Sequence, residues 1–138
     1  MSGSELTMRR RLVKLLRDQG LAGDPVENVV GVGMPDVAYA GGWIECKRLA
    51  RWPKRASTPV RLHHPLLPSQ QRWIKRHAAC GGRVHVLIQI DHDFVLLGPD
   101  AACTVLGKAT REELIASADL YCSGWSALGD LIVGAITC

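Results

Sequence analysis

No apolar run in this 138-residue chain reaches the roughly 18 residues that a bilayer-spanning helix needs. A signal-peptide pattern is also missing, because Arg9-Arg10-Arg11 leads into an amphipathic segment. The expectation is a soluble, intracellular and cytoplasmic protein with no membrane partner. The five cysteines, Cys46, Cys80, Cys103, Cys122 and Cys138, are odd in number, widely spaced and without a C-x-x-C pair. That argues against a disulfide framework or zinc knuckle and for buried free thiols. There is no internal repeat and no low-complexity segment. Gly31-x-Gly33 opens no helix and so makes no dinucleotide fingerprint.

A further absence points to a partner. Residues 46–90 contain no Asp or Glu, yet carry ten Lys or Arg: Lys47, Arg48, Arg51, Lys54, Arg55, Arg61, Arg72, Lys75, Arg76 and Arg83. Residues 91–138 hold only Lys108 and Arg111 against seven acids, so the net charge of +4 conceals a strong asymmetry. An acid-free basic block is the electrostatic footprint of a polyanion site. Arg48, Arg51, Lys54, Arg55, Arg61, Arg72, Lys75 and Arg76 are the expected nucleic-acid contacts.

What is present fits one domain spanning 1–138, with 47% apolar residues and room for a single core. Ser4 to Gln19 reads as a helix with Ser4 as N-cap, an apolar stripe of Leu12, Leu15 and Leu16, and Gly20 at its stop. Val29-Val30-Gly31-Val32 reads as a short strand. Residues 48–68, with four prolines, read as a long basic loop in which Trp52 either stacks on a base or anchors the loop to the core. Ser69 to Ala79 is a helix with Ser69 as N-cap, and strands follow at 84–90 and 94–97. Pro99–Leu106 reads as a short helix. Thr110-x-x-Glu113 resembles a capping box, and the apolar stretch Ser126–Ile136 is helical, either a dimer surface or part of the core.

The motif that carries chemistry lies at Gly33-Met34-Pro35-Asp36 and Glu45-Cys46-Lys47. Val37-Ala38-Tyr39 and Trp43-Ile44 flank Gly41-Gly42, so a hairpin with those two glycines as its loop is expected. Asp36 would then face Lys47, and Ala38 would face Glu45. Alternation along the strands puts Asp36, Glu45 and Lys47 on one side and Val37, Tyr39, Ile44 and Cys46 on the other. Diagonal cross-strand Cβ atoms lie roughly 7 Å apart, so the two carboxylates can converge on one hard cation with oxygen ligands at about 2.1 Å. Mg²⁺ suits best and Mn²⁺ also fits; the main-chain carbonyl of Cys46 is a further oxygen donor. Lys47 can orient or deprotonate an attacking water. Weaker candidates are His63-His64, an adjacent pair with no third ligand, and Asp91-His92-Asp93, which reads as a polar hairpin turn.

A helix with an early acid, then Pro-Asp, a hairpin, Glu-x-Lys, a basic helix led by glutamine and a Gly-Gly before a buried strand resembles the PD-(D/E)XK nuclease superfamily. Within it the chain is most similar to the small virus-type replication-repair nucleases (VRR-NUC), relatives of the Holliday junction resolvases. The resemblance covers about residues 5–97 and leaves 98–138 as a helical extension. It implies an α/β fold with a restriction-endonuclease-like core, a mixed central sheet flanked by helices. Asp36 and Glu45 would be metal ligands, Lys47 the catalytic lysine and Gln70 the helix-borne glutamine, with Gln71 its neighbour and alternative. Glu5 matches the acid that completes such sites, with Glu27 as competitor. The implied activity is Mg²⁺-dependent endonucleolytic cleavage of DNA, branched DNA included, by a homodimer, in replication, recombination or repair and in a phage or mobile-element setting. A non-catalytic nucleic-acid-binding module of the same fold is the alternative.

Overall fold

The computed structural model describes residues 2–26 and 34–137. Its first helix, α1 (Ser2–Asp18), follows from Met8, Leu12 and Leu16, which recur every four residues and are buried together with Val13. It starts two residues before the expected Ser4 cap. The expected strand Val29-Val30-Gly31-Val32, and with it Gly33 and Glu27, lies outside the described residues.

Six strands form one mixed sheet: β1 (Asp24–Pro25), β2 (Val37–Tyr39), β3 (Gly42–Leu49), β4 (Arg83–Ile90), β5 (Asp93–Leu97) and β6 (Leu120–Ser123). They lie in chain order, and every neighbouring pair is antiparallel except β3 and β4, which run parallel. A parallel pair needs a crossover, and it is provided by a loop and the helix α2 (Pro68–Ala79). Three further helices complete the chain: α3 (Pro99–Thr104), α4 (Arg111–Ala116) and α5 (Trp125–Thr137).

The sheet is covered on both faces, giving an α/β architecture with two cores. On one face Val37, Tyr39, Ile44, Cys46, Leu87, Phe94 and Leu96 pack against Met8, Leu12 and Leu16 of α1 and Leu128, Ile132 and Ile136 of α5. On the other, Val84, Val86, Ile88, Ile90, Val95 and Leu97 meet Trp73 and Ile74 of α2, Ala102 of α3 and Leu114 of α4. Strands buried on both sides read as largely apolar runs, and in Val84 to Ile90 only His85 and Gln89, on the α1–α5 face, interrupt the run. Among the described residues no helix is long and apolar enough to cross a membrane.

Several details differ from expectation. The hairpin loop is Ala40-Gly41, since Tyr39 pairs with Gly42, Ala38 with Trp43 and Val37 with Ile44. The two glycines do different work. Gly41 has φ +104°, a conformation L side chains rarely adopt, whereas a Cβ on Gly42 would strike the Tyr39 hydroxyl and lie 2.7 Å from the Arg83 carbonyl oxygen. The register therefore shifts by two residues and aligns Asp36 with Glu45 in place of Lys47. A shift of two keeps every side chain on its face.

The cap of α2 is Leu67, not Ser69, because Pro68 takes the first helical position, where a missing N–H costs nothing. The capping box at Thr110 and Glu113 forms as expected. Residues 98–137 are more than a helical extension, since β6 extends the sheet and α5 fills the first core. Leu128, Ile132 and Ile136 are fully buried within the chain, leaving Leu131 as the exposed apolar residue of α5. Cys46 and Cys122 are buried free thiols as expected, but Cys80 is exposed.

Candidate carboxylate–lysine site

Glu45 and Lys47 occupy alternate positions of β3 and both project into the α2 side of the sheet. There they are the two charged side chains buried among apolar neighbours, at 3% and 5% exposure. The Lys47 Nζ lies 3.4 Å from Glu45 Oε2. Asp36 arrives from the turn ahead of β2. Its Oδ2 accepts a hydrogen bond from the Cys46 main-chain N–H at 2.9 Å, which pins the acid against β3 just where β2 stops pairing.

Gln70 closes the arrangement from α2. Its Nε2 donates to Glu45 Oε2 at 2.9 Å, and its Oε1 accepts from the Leu67 N–H, so one side chain both caps the helix and grips the acid. Gln70 stands three and four residues before the buried Trp73 and Ile74 and therefore shares their helix face. Gln71, its neighbour, is turned away and donates to the Leu66 carbonyl. The helix is seated by an aromatic stack absent from the sequence expectation: Trp43 meets the Trp73 ring edge-on at 5.2 Å, and Trp73 stacks on His77 at 3.5 Å. Trp43, two residues before Glu45 on the same strand, shares its face, and that spacing was a legible signal.

The electrostatics of the cluster are unbalanced. Burial pushes the Glu45 carboxyl up, the Asp36 charge pushes it further, Lys47 opposes, and Glu5 adds to the rise, for a value of about 8. The buried Cys46 thiol is raised first by desolvation and then by Asp36 and Glu45, with a smaller contribution from Glu5. Glu5 on α1, Asp36 and Glu45 thus act on a common point from three elements. Lys47 is in contact with Glu45, and the Arg9 charge opposes the rise at Cys46. Among the described residues no three His, Cys, Asp or Glu side chains form a ready metal cage. Asp36 and Glu45 each spend an oxygen on protein donors.

The basic residues divide. Arg51, Lys54, Arg55 and Arg61 of the loop and Arg72, Lys75 and Arg76 of α2 are exposed. Arg48 is different, because it follows Lys47 on β3 and projects to the α1–α5 side, with Gln89 as its partner on β4. Trp52 is an anchor, not a free stacking platform: its Nε1 donates to Asp93 Oδ2 at 2.7 Å, and Arg111 lies 4.5 Å over its ring. His63 and His64 are exposed in the loop. Asp91 and His92 form the two-residue turn between β4 and β5, with Asp91 at φ 54°. No family model matches the chain, and no curated protein matches it.

Proposed function

We propose that this site hydrolyses phosphodiester bonds in DNA with the help of a divalent cation, and that the fold is restriction-endonuclease-like. The observation that carries the reading is the convergence of Asp36, Glu45 and Lys47 on one sheet face, with Gln70 gripping Glu45. The donor chemistry fits a small hard cation. Mg²⁺ is held by one or two carboxylates plus water more often than by an all-protein cage. An acid pushed to about 8 by burial first and by neighbouring acids second is also one whose negative form a cation would stabilise. Asp36 and Glu45 would hold the ion, with Glu5 and the Cys46 main-chain carbonyl as candidate further oxygen donors, and Mn²⁺ could replace Mg²⁺. When bound, the cation supplies charge neutralisation at the scissile phosphate and lowers the pKa of its water.

The chain's own residues do the rest. Lys47, fixed beside Glu45, orients the attacking water. Gln70 holds the Glu45 carboxylate at one angle, and the Trp43–Trp73–His77 stack keeps α2, and so Gln70, in place. The exposed cations of α2 and the preceding loop attract the phosphate backbone, an interaction that weakens as salt rises. A structure-specific endonuclease acting on branched DNA as a dimer is the form of this activity we favour.

A second reading has its own support, since Asp36 and Glu45 already accept protein hydrogen bonds, as they would in a non-catalytic DNA-binding module. Incubation with a four-way junction, a flap, a duplex and single-stranded DNA, with and without Mg²⁺ or Mn²⁺, separates the two. Cation-dependent cutting abolished by Asp36→Ala and Lys47→Ala is expected. Cutting that survives either substitution, or EDTA, overturns the mechanism, and binding without cutting establishes the second reading.

A further inference from the structure

The sheet separates Arg48 from the exposed basic residues of the loop and α2. Because side chains alternate along β3, the residue after Lys47 emerges on the opposite face. There Arg48 enters a cavity of about 190 Å³ lined by Thr7, Met8 and Arg11 of α1, Gln89 of β4 and Trp125 of α5. Gln89 is the register partner of Arg48 across the parallel pair, so the two polar side chains stand side by side at the cavity floor. Arg11 enters from the helix above, its guanidinium 4.5 Å over the Trp125 ring, while that ring packs edge-on against buried Phe94 at 4.7 Å. Four separate elements thus fix the walls.

Among the described residues, the lining of this cavity holds no carboxylate. Among the described residues, the ion pairs made by arginines are Arg17 with Asp24 and Arg111 with Asp93, and no carboxylate reaches Arg11 or Arg48. Two guanidiniums lining one small cavity repel each other, and the partial burial of Arg48 weakens the solvent screening that would relieve it. Gln89 spends one amide hydrogen on the Asp91 carbonyl at 3.3 Å and keeps its second N–H for another acceptor. The site therefore presents donors and positive charge, with an aromatic wall and no acid.

We infer that Arg11, Arg48 and Gln89 form a phosphate-binding pocket on the α1–α5 face of the sheet, separate from the carboxylate–lysine site. Planar guanidinium forks match the oxygens of a phosphate group in paired hydrogen bonds. The cavity is smaller than the about 300 Å³ at which whole-ligand pockets begin, so it takes the phosphate group and leaves the remainder of the ligand outside. The phosphate can belong to a nucleic-acid strand or to a small phosphate ester. The pocket owes nothing to the proposed hydrolysis, since its charge and shape stand whether or not the other face cuts DNA.

Inorganic phosphate titrated into the full-length protein in EDTA, read by the side-chain resonances of Arg48 and Gln89, tests this directly. Saturable shifts are expected, with Kd raised about tenfold or more by Arg48→Gln, the loss of one charge-assisted hydrogen-bonding partner. Arg11→Gln on the helix surface is expected to weaken binding as well, and it keeps the test valid if the Arg48 variant fails to fold. Lys108→Gln, an exposed lysine elsewhere, should leave Kd unchanged. Repeating the titration with a nucleoside 5′-monophosphate and with single strands bearing a 5′-phosphate or a 5′-hydroxyl separates the sources. Binding of both strands assigns an internal phosphodiester. A requirement for the 5′-phosphate assigns a strand end, and binding of small esters alone assigns a free metabolite. No saturable shift with any of these, or a Kd indifferent to both arginine substitutions, overturns the pocket.

Discussion

Glu45 and Asp93 are both acids on strands of the same sheet, yet their surroundings push them in opposite directions. Burial gives Asp93 the largest single push, upward, but hydrogen bonds from Ser123, Trp52 and Tyr121 and the charge of Arg111 together outweigh it and hold the carboxyl below its ordinary value. Its Oδ2 accepts from Trp52 and Tyr121 and its Oδ1 from Ser123, so it knots the loop after β3, the β4–β5 turn and β6 together. Glu45 has one lysine and one amide as donors, and two other acids press on it. A carboxylate surrounded by donors stabilises a fold as it stands. One buried with like charges beside it is costly to the fold, and the proposed cleavage would supply a reason to keep it.

The largest effects expected fall on the crowded side of this comparison. Lys47→Ala and Asp36→Ala should each lower the cleavage rate by about 10²–10⁴-fold, the usual worth of a positioned acid–base or electrostatic group. Circular dichroism should still report a folded chain. Loss of the fold in both variants would make the trio a structural network like that of Asp93, and the contrast would collapse.

Glu45→Gln gives a two-sided result. In the folded chain the carboxyl keeps its proton up to about pH 8, whereas its ordinary value is 4.5. Between these values the folded state binds more protons than the unfolded one, so stability falls as pH rises through that window. Removing the ionisable group should raise stability in metal-free buffer by roughly 2–4 kcal/mol at pH 8 and have little effect at pH 5, measured by urea unfolding. Cleavage should be lost at the same time. Added Mg²⁺ should raise the Tm of the unaltered protein and not that of the variant. A variant destabilised at both pH values would show that the acid belongs to the fold.

Asp93→Ala tests the satisfied side. Leaving the Trp52, Tyr121 and Ser123 donors without their acceptor should cost about 2–4 kcal/mol, while the folded fraction retains its cleavage rate. Because the carboxyl is held below its ordinary value, its stabilisation is present above that value and is lost as pH falls through the lowered one. The gap between Asp93→Ala and unaltered protein should accordingly narrow in acid.

The crowded side was the more legible of the two in sequence. Asp36, Glu45 and Lys47 share a face by alternation alone, and an error of two residues in the hairpin register left that face intact because the period is two. The pairings were less legible, since Gly41 and Gly42 look alike in the sequence but serve a positive φ and a close backbone approach respectively. Gln70 was placed by family resemblance, and its geometry depends on the cap being Leu67, two residues before Ser69, so that Pro68 opens the helix. The Asp93 knot could not be read at all. Its partners at positions 52, 111, 121 and 123 are joined by tertiary contacts without any local spacing rule, and β6, which supplies two of them, is a four-residue strand with little signal of its own.

The smallest effect expected is also the one that most sharply dissects the knot. Trp52→Phe keeps a ring under the Arg111 guanidinium but deletes the indole N–H that donates to Asp93. One hydrogen bond to a charged acceptor, partly exposed, is worth about 1–2 kcal/mol, and the weaker pull of phenylalanine on the cation subtracts a few tenths more. In the Asp93→Ala background the same substitution has no carboxylate left to lose. It should then cost well under about 1 kcal/mol and can even be favourable, because it removes a donor stranded without an acceptor. The coupling in this double-mutant cycle, read from denaturant midpoints, therefore measures how firmly Asp93 ties the basic loop to the sheet. Additive costs would mean that the loop is held by Val60 and Leu66 in the second core instead, and that the acid stabilises only its own hairpin.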